Sequence, residues 1–72
     1  MSIETEDSPV QVAPARYVTI PLASTLTGLT VPAIETNIAK AKWVEGREYV
    51  RRGGRTFIDM RGFERWVATG PA

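Results

Sequence analysis

Three arginines, Arg51, Arg52 and Arg55, crowd around Gly53-Gly54 in a chain of 72 residues whose net charge is only +1. Guanidinium groups gathered at one turn suit charge-assisted hydrogen bonds to a polyanion, such as a phosphodiester backbone. The window from Lys40 to Arg55 holds six basic residues against Glu45 and Glu48, a balance of 6 − 2 = +4. The leader hides this, because Glu4, Glu6 and Asp7 all precede the first basic residue, Arg16. A cluster of this kind attracts polyanions more strongly than the whole-chain charge implies.

Composition removes most other chemistry. The sequence has no cysteine and no histidine. Disulfides, thiolate or imidazole metal sites and Ser-His or Cys-His nucleophile pairs therefore drop out together. Glu35, Glu45, Glu48 and Glu64 form no convincing acid–base pair, and Glu45 and Glu48 sit among arginines, where ion pairing is expected. A domain this small also leaves little room for a substrate cleft. The expectation is a non-catalytic protein that uses no cofactor and no metal. No apolar run approaches the ~18 residues of a membrane span, and "MSIETEDSPVQVAPA" lacks the basic start and apolar stretch of a signal peptide. A soluble, cytoplasmic chain with no membrane partner is expected.

The arginines need an element to carry them. "EYVR" and "RTFID" are rich in aromatic and β-branched residues and read as a β-hairpin, with Gly53-Gly54 as a two-residue turn at positive φ. That turn sets Arg52 opposite Arg55, Arg51 opposite Thr56, Val50 opposite Phe57 and Tyr49 opposite Ile58. Like charges facing each other across strands are destabilising. Either the two arginines splay into water or something outside the chain compensates them.

Upstream, Tyr17, Val18 and Ile20 suggest a short extended segment, then a helix from Pro21 to Thr27 that starts near Thr19 or Ile20 and stops at Gly28. Thr30 is a good N-cap for a second helix, Val31 to about Lys42, with Leu29 and Ile34 as a hydrophobic staple. Val31, Ile34, Ile38 and Ala41 form its apolar stripe. Ala33, Thr36 and Lys40 lie opposite, with Glu35, Asn37 and Ala39 at the margins. Asp59 caps a last helix, Met60 to about Thr69, bracketed by Ile58 and Phe63 and ended by Gly70-Pro71. The expected core is Val18, Ile20, Leu22, Leu26, Leu29, Ile34, Ile38, Trp43, Tyr49, Ile58, Phe63, Trp66 and Val67.

The fold class expected is α+β, a small winged helix-turn-helix domain: two short helices, a two-stranded β-hairpin wing and a C-terminal helix. It occupies residues 16–70 and follows a flexible acidic arm over 1–15. In such a domain the second helix enters the DNA major groove while the wing reaches phosphates or a neighbouring minor groove.

Residues 17–67 resemble the excisionases of temperate phages and prophages, the small recombination directionality factors. The resemblance is carried by Thr27-Gly28-Leu29-Thr30, by Trp43-Val44-Glu45-Gly46-Arg47-Glu48-Tyr49, by the glycine turn, by Ile58-Asp59 and by Trp66-Val67. It implies a protein that binds repeats in double-stranded attachment-site DNA, bends it and directs a phage integrase toward prophage excision. A monomer of 72 residues covers little DNA, so cooperative self-association on repeated sites is expected, with a place at the bacterial nucleoid. By the family pattern Ala33, Thr36, Asn37 and Lys40 face the bases. Arg51, Arg52, Gly53, Gly54 and Arg55 form the wing, and Lys42 and Arg47 make flanking phosphate contacts. Where similar proteins carry more basic residues in the second helix, this chain has Glu35-Thr36-Asn37. Asn37 suits adenine and Thr36 a thymine methyl, so affinity should lean on the wing and depend strongly on salt. Two other readings stay open: a phage transcription regulator on the same fold, and an adaptor that sets the basic hairpin against an acidic protein.

Overall fold

A computed structural model describes residues 15–70, and the acidic arm expected over 1–15 lies, but for Ala15, outside the described residues. The elements run β1 (Tyr17–Thr19), α1 (Ile20–Thr27), α2 (Val31–Ala39), β2 (Tyr49–Arg52), β3 (Arg55–Asp59) and α3 (Met60–Thr69). The described residues thus form a small α+β domain of three helices and one antiparallel sheet, in the order β1-β3-β2.

The strand count departs from expectation. Among the described residues the sheet has three strands and not two, because the extended segment pairs with β3 in the register Tyr17–Asp59, Val18–Ile58 and Thr19–Phe57. A lone hairpin would leave both edges of the ribbon with unpaired backbone groups, and β1 satisfies one of them. The hairpin register itself is as expected: Tyr49–Ile58, Val50–Phe57, Arg51–Thr56 and Arg52–Arg55.

The caps follow their sequence signals. Gly28 closes α1 in the left-handed region (φ 81°), with its N–H donating to the Ser24 carbonyl. The Thr30 hydroxyl accepts the Ala33 N–H at 3.1 Å and opens α2. Asp59 opens α3 by accepting the N–H groups of Arg61 and Gly62 at 3.0 and 3.3 Å. Helix α2, however, ends at Ala39 and not near Lys42. Ala41 turns to φ 58°, and the Asn37 carbonyl accepts the N–H groups of both Lys42 and Trp43, which ends the regular pattern.

Alternation along the strands puts Tyr49, Ile58 and Val18 in one row across the sheet, and all three are buried. Ala23, Ile34 and Trp43 complete the buried cluster. Ile20, Leu29, Ile38, Met60, Phe63 and Trp66 pack around it. Trp43 is 1% exposed and meets Phe63 and Trp66 edge-on, at centroid distances of 6.1 and 5.5 Å. Each such pair adds about 0.5–1.5 kcal/mol beyond area burial. Three expected core residues lie at the surface: Leu22 (47% exposed), Leu26 (45%) and Val67 (62%). Helix α1 turns the small Ala23 inward, which brings its backbone close to the sheet and rotates the two leucines away. In α3 the pair Phe63–Trp66, three residues apart, occupies the inner face and leaves Val67 outside.

Candidate nucleic-acid interface

Residues 51–55 are all exposed at the hairpin tip. Gly53 and Gly54 have φ of 60° and 76°, the positive pair that this two-residue turn requires. A Cβ at either glycine would meet nothing within 4 Å, so backbone conformation rather than crowding explains them. The bare backbone also lets a ligand approach closely. Arg51 is braced: its N–H donates to the Glu45 carboxylate at 3.3 Å, and its guanidinium lies 5.8 Å from the Tyr49 ring centroid. Among the described residues, the guanidinium groups of Arg51, Arg52 and Arg55 meet no carboxylate. Ion pairs form instead at Arg16–Asp59 and Arg47–Glu48.

Both paired carboxylates belong to the scaffold. Glu48 is 3% exposed and accepts the Val44 N–H at 2.8 Å and an Arg47 Nη2–H at 3.2 Å. Asp59, also 3% exposed, receives a two-pronged bond from Arg16, Nε to Oδ1 and Nη2 to Oδ2, each 3.1 Å. Burial opposes the charge on Asp59, but the bonds from Arg16 and from the Gly62 and Arg61 amides outweigh it and hold its carboxyl below the ordinary value. The bond to Asp59 in turn raises the pKa of Arg16. Arg16 thereby ties β1 to the start of α3.

On α2, Thr36 and Lys40 are exposed, while Ala33 and Asn37 are half-buried. The two margins of the helix differ. On one, Val31 and Glu35 share a recess of about 350 Å³ with Thr19, Arg55 and Thr56, so this margin adjoins the hairpin. On the other, Asn37 lines a cleft of about 750 Å³ with Lys42, Arg47, Arg65 and Trp66. The stripe Ala33–Thr36–Lys40 therefore runs between the hairpin arginines and a second group of cations, Lys42, Arg47 and Arg65. Of that group Arg65 was not expected from sequence. Its one available signal is its place beside Trp66, whose ring helps to wall the cleft.

No helix among the described residues is long and apolar enough to cross a membrane. Comparison with protein-family models, with curated proteins and with solved structures finds no match.

Proposed function

We propose that this chain is a sequence-specific, double-stranded-DNA-binding and bending protein of the excisionase type, with the hairpin acting as the wing of a winged helix. On this reading α2 enters the major groove with Thr36 and Lys40 toward the base edges and Asn37 at the margin. The wing arginines take phosphates, or a narrow minor groove, on one side. Lys42, Arg47 and Arg65 take the opposite strand. A helix seated in a major groove has a phosphodiester strand along each flank, and cations on both margins of α2 fit that arrangement. Bound to attachment-site repeats beside an integrase, such a protein would favour excision by bending the DNA.

The observation that carries the reading is the Arg52–Arg55 pair, opposed at an exposed turn with no carboxylate answering either among the described residues. Phosphate oxygens would supply the missing counter-charge.

The test is duplex titration at low and moderate salt, followed by gel mobility and bend-angle measurement on attachment-site DNA with and without an integrase. Binding to random duplex at low salt, lost steeply as salt rises, is the expected result. Replacing Arg51, Arg52 and Arg55 together with alanine should lower the salt slope by about three counterions and leave the fold intact. An absence of duplex binding even at low salt overturns the reading.

A further inference from the structure

We propose that the outer face of the sheet is a stacking platform for single-stranded nucleic acid, in which Tyr17 and Phe57 add base stacking to the hairpin arginines that the duplex reading also uses. Opposite the Val18–Ile58–Tyr49 row, the recess on the sheet is lined by strand residues alone. The next row on that side is Val50–Phe57–Thr19, with Tyr17 one diagonal step away on β1. Tyr17, Val50, Arg52 and Phe57, drawn from all three strands, line this recess of about 370 Å³. Tyr17 is 44% exposed, while Val50 and Phe57 are half-buried, so this side of the sheet shows apolar and aromatic surface to solvent.

Charge selects the occupant. Alternation puts Arg52, Arg55 and Asp59 on this face, and Arg16 lies beside it with its guanidinium 5.1 Å from the Tyr17 ring centroid. Asp59 is buried and neutralised by Arg16, so among the described residues the charge at the rim that meets no carboxylate is that of Arg52 and Arg55. Flat aromatic side chains within a cationic rim match a ligand in which flat rings alternate with phosphates. One base stacks on Tyr17 and a neighbouring base on Phe57, and the adjoining phosphates fall to the two arginines. A duplex presents its bases edge-on and stacked, so it cannot use this face in the same way.

The probe is a fluorescein-labelled oligothymidylate of about 12 nucleotides, comparable to the site sizes of small sheet-based binders. An oligouridylate of the same length separates a DNA source from an RNA one. The wild-type chain should bind the oligonucleotide, and Tyr17→Leu and Phe57→Leu should each weaken that binding about tenfold. Leucine retains apolar bulk but removes the flat ring. Circular dichroism checks the fold, and the exposed Tyr17 keeps the test decisive if the Phe57 variant unfolds. Duplex affinity should not change in either variant.

Equal binding of an abasic backbone of the same length would show that phosphates alone are held and would overturn the proposal. So would wild-type affinity in the Tyr17 variant, or concentration-dependent dimerisation through this face without nucleic acid. Duplex binding without oligothymidylate binding refutes the platform alone. The converse refutes the duplex reading alone.

Discussion

Arg52 and Arg55 stand directly opposite each other across Gly53-Gly54, the last pair of a ladder that otherwise matches Tyr49 with Ile58 and Val50 with Phe57. The lower pairs serve packing and the terminal pair works against it, since like charges opposed on adjacent strands are unfavourable.

Arg52→Thr should therefore move stability and binding in opposite directions. A β-branched neutral partner relieves the repulsion and suits a strand, so stability should rise by a few tenths of a kcal/mol, up to about 0.5. Duplex affinity should fall, with the salt slope lowered by about one counterion. A thermal melt and a salt-series titration on the same sample check both. A variant that gains stability and loses no affinity would remove Arg52 from the interface.

Glu35 offers the reverse case. It lines the recess shared with Arg55 and Thr56, beside the proposed path of a phosphate strand, and among the described residues it forms no ion pair. A carboxylate there repels phosphate by an amount on the order of 1 kcal/mol at surface dielectric, reduced by salt. Glu35→Gln should strengthen duplex binding about fivefold at low salt and leave the melting temperature nearly unchanged. Unchanged affinity would mean that the margin of α2 beside the hairpin faces away from the DNA.

Asp59 sets an acid limit on the fold. Its folded-state carboxyl titrates below the ordinary value, so the folded state favours the ionised form more than the unfolded chain does. The stabilisation is complete above the unfolded-state value, about 3.9, and is lost as pH falls through the folded-state value. Asparagine is nearly as good an N-cap as aspartate but cannot pair with Arg16 as an ion. Asp59→Asn should have a lower urea midpoint at neutral pH, and the gap from wild type should close on acidification. A gap independent of pH would show that the Arg16 bond adds nothing through charge.

Much of this architecture is legible in the residues where a local rule has one solution. A two-residue glycine turn admits one hairpin register, and Thr30 and Asp59 each have a side-chain oxygen where a helix needs an acceptor. Long-range choices leave weaker marks. The pairing of Tyr17–Thr19 with β3 is a contact across some forty positions, and nothing local announces it. Leu22 and Leu26 look like core by type, yet Ala23 is chosen because a small side chain permits close approach. The early end of α2 turns on Ala41 at positive φ, a conformation that alanine does not advertise. At the candidate interface the hairpin cations are visible from their crowding. Arg65 is not, because α3 brings it to Lys42 and Arg47 only through tertiary packing.

Gly62 shows the same limit and yields the sharpest stability prediction. It lies buried in the first turn of α3, and a Cβ there would collide with the Arg47 carbonyl oxygen and stand 2.7 Å from the Arg47 carbonyl carbon and 2.9 Å from the Glu48 Cα. The obstacles are backbone atoms, which cannot swing aside like a side chain. In an open helix Gly→Ala would stabilise by about 1 kcal/mol. Here the overpacking should reverse the sign and cost about 1–3 kcal/mol. The damage should also be local at first, because α3 must lift off the segment that carries Glu48 into β2. Amide exchange along Tyr49–Arg52 should then quicken before global unfolding, and duplex affinity should fall although no residue proposed to touch DNA has been substituted. If Gly62→Ala instead stabilises the chain, α3 does not press against residues 47–48 in solution, and the scaffold assigned to the hairpin is wrong.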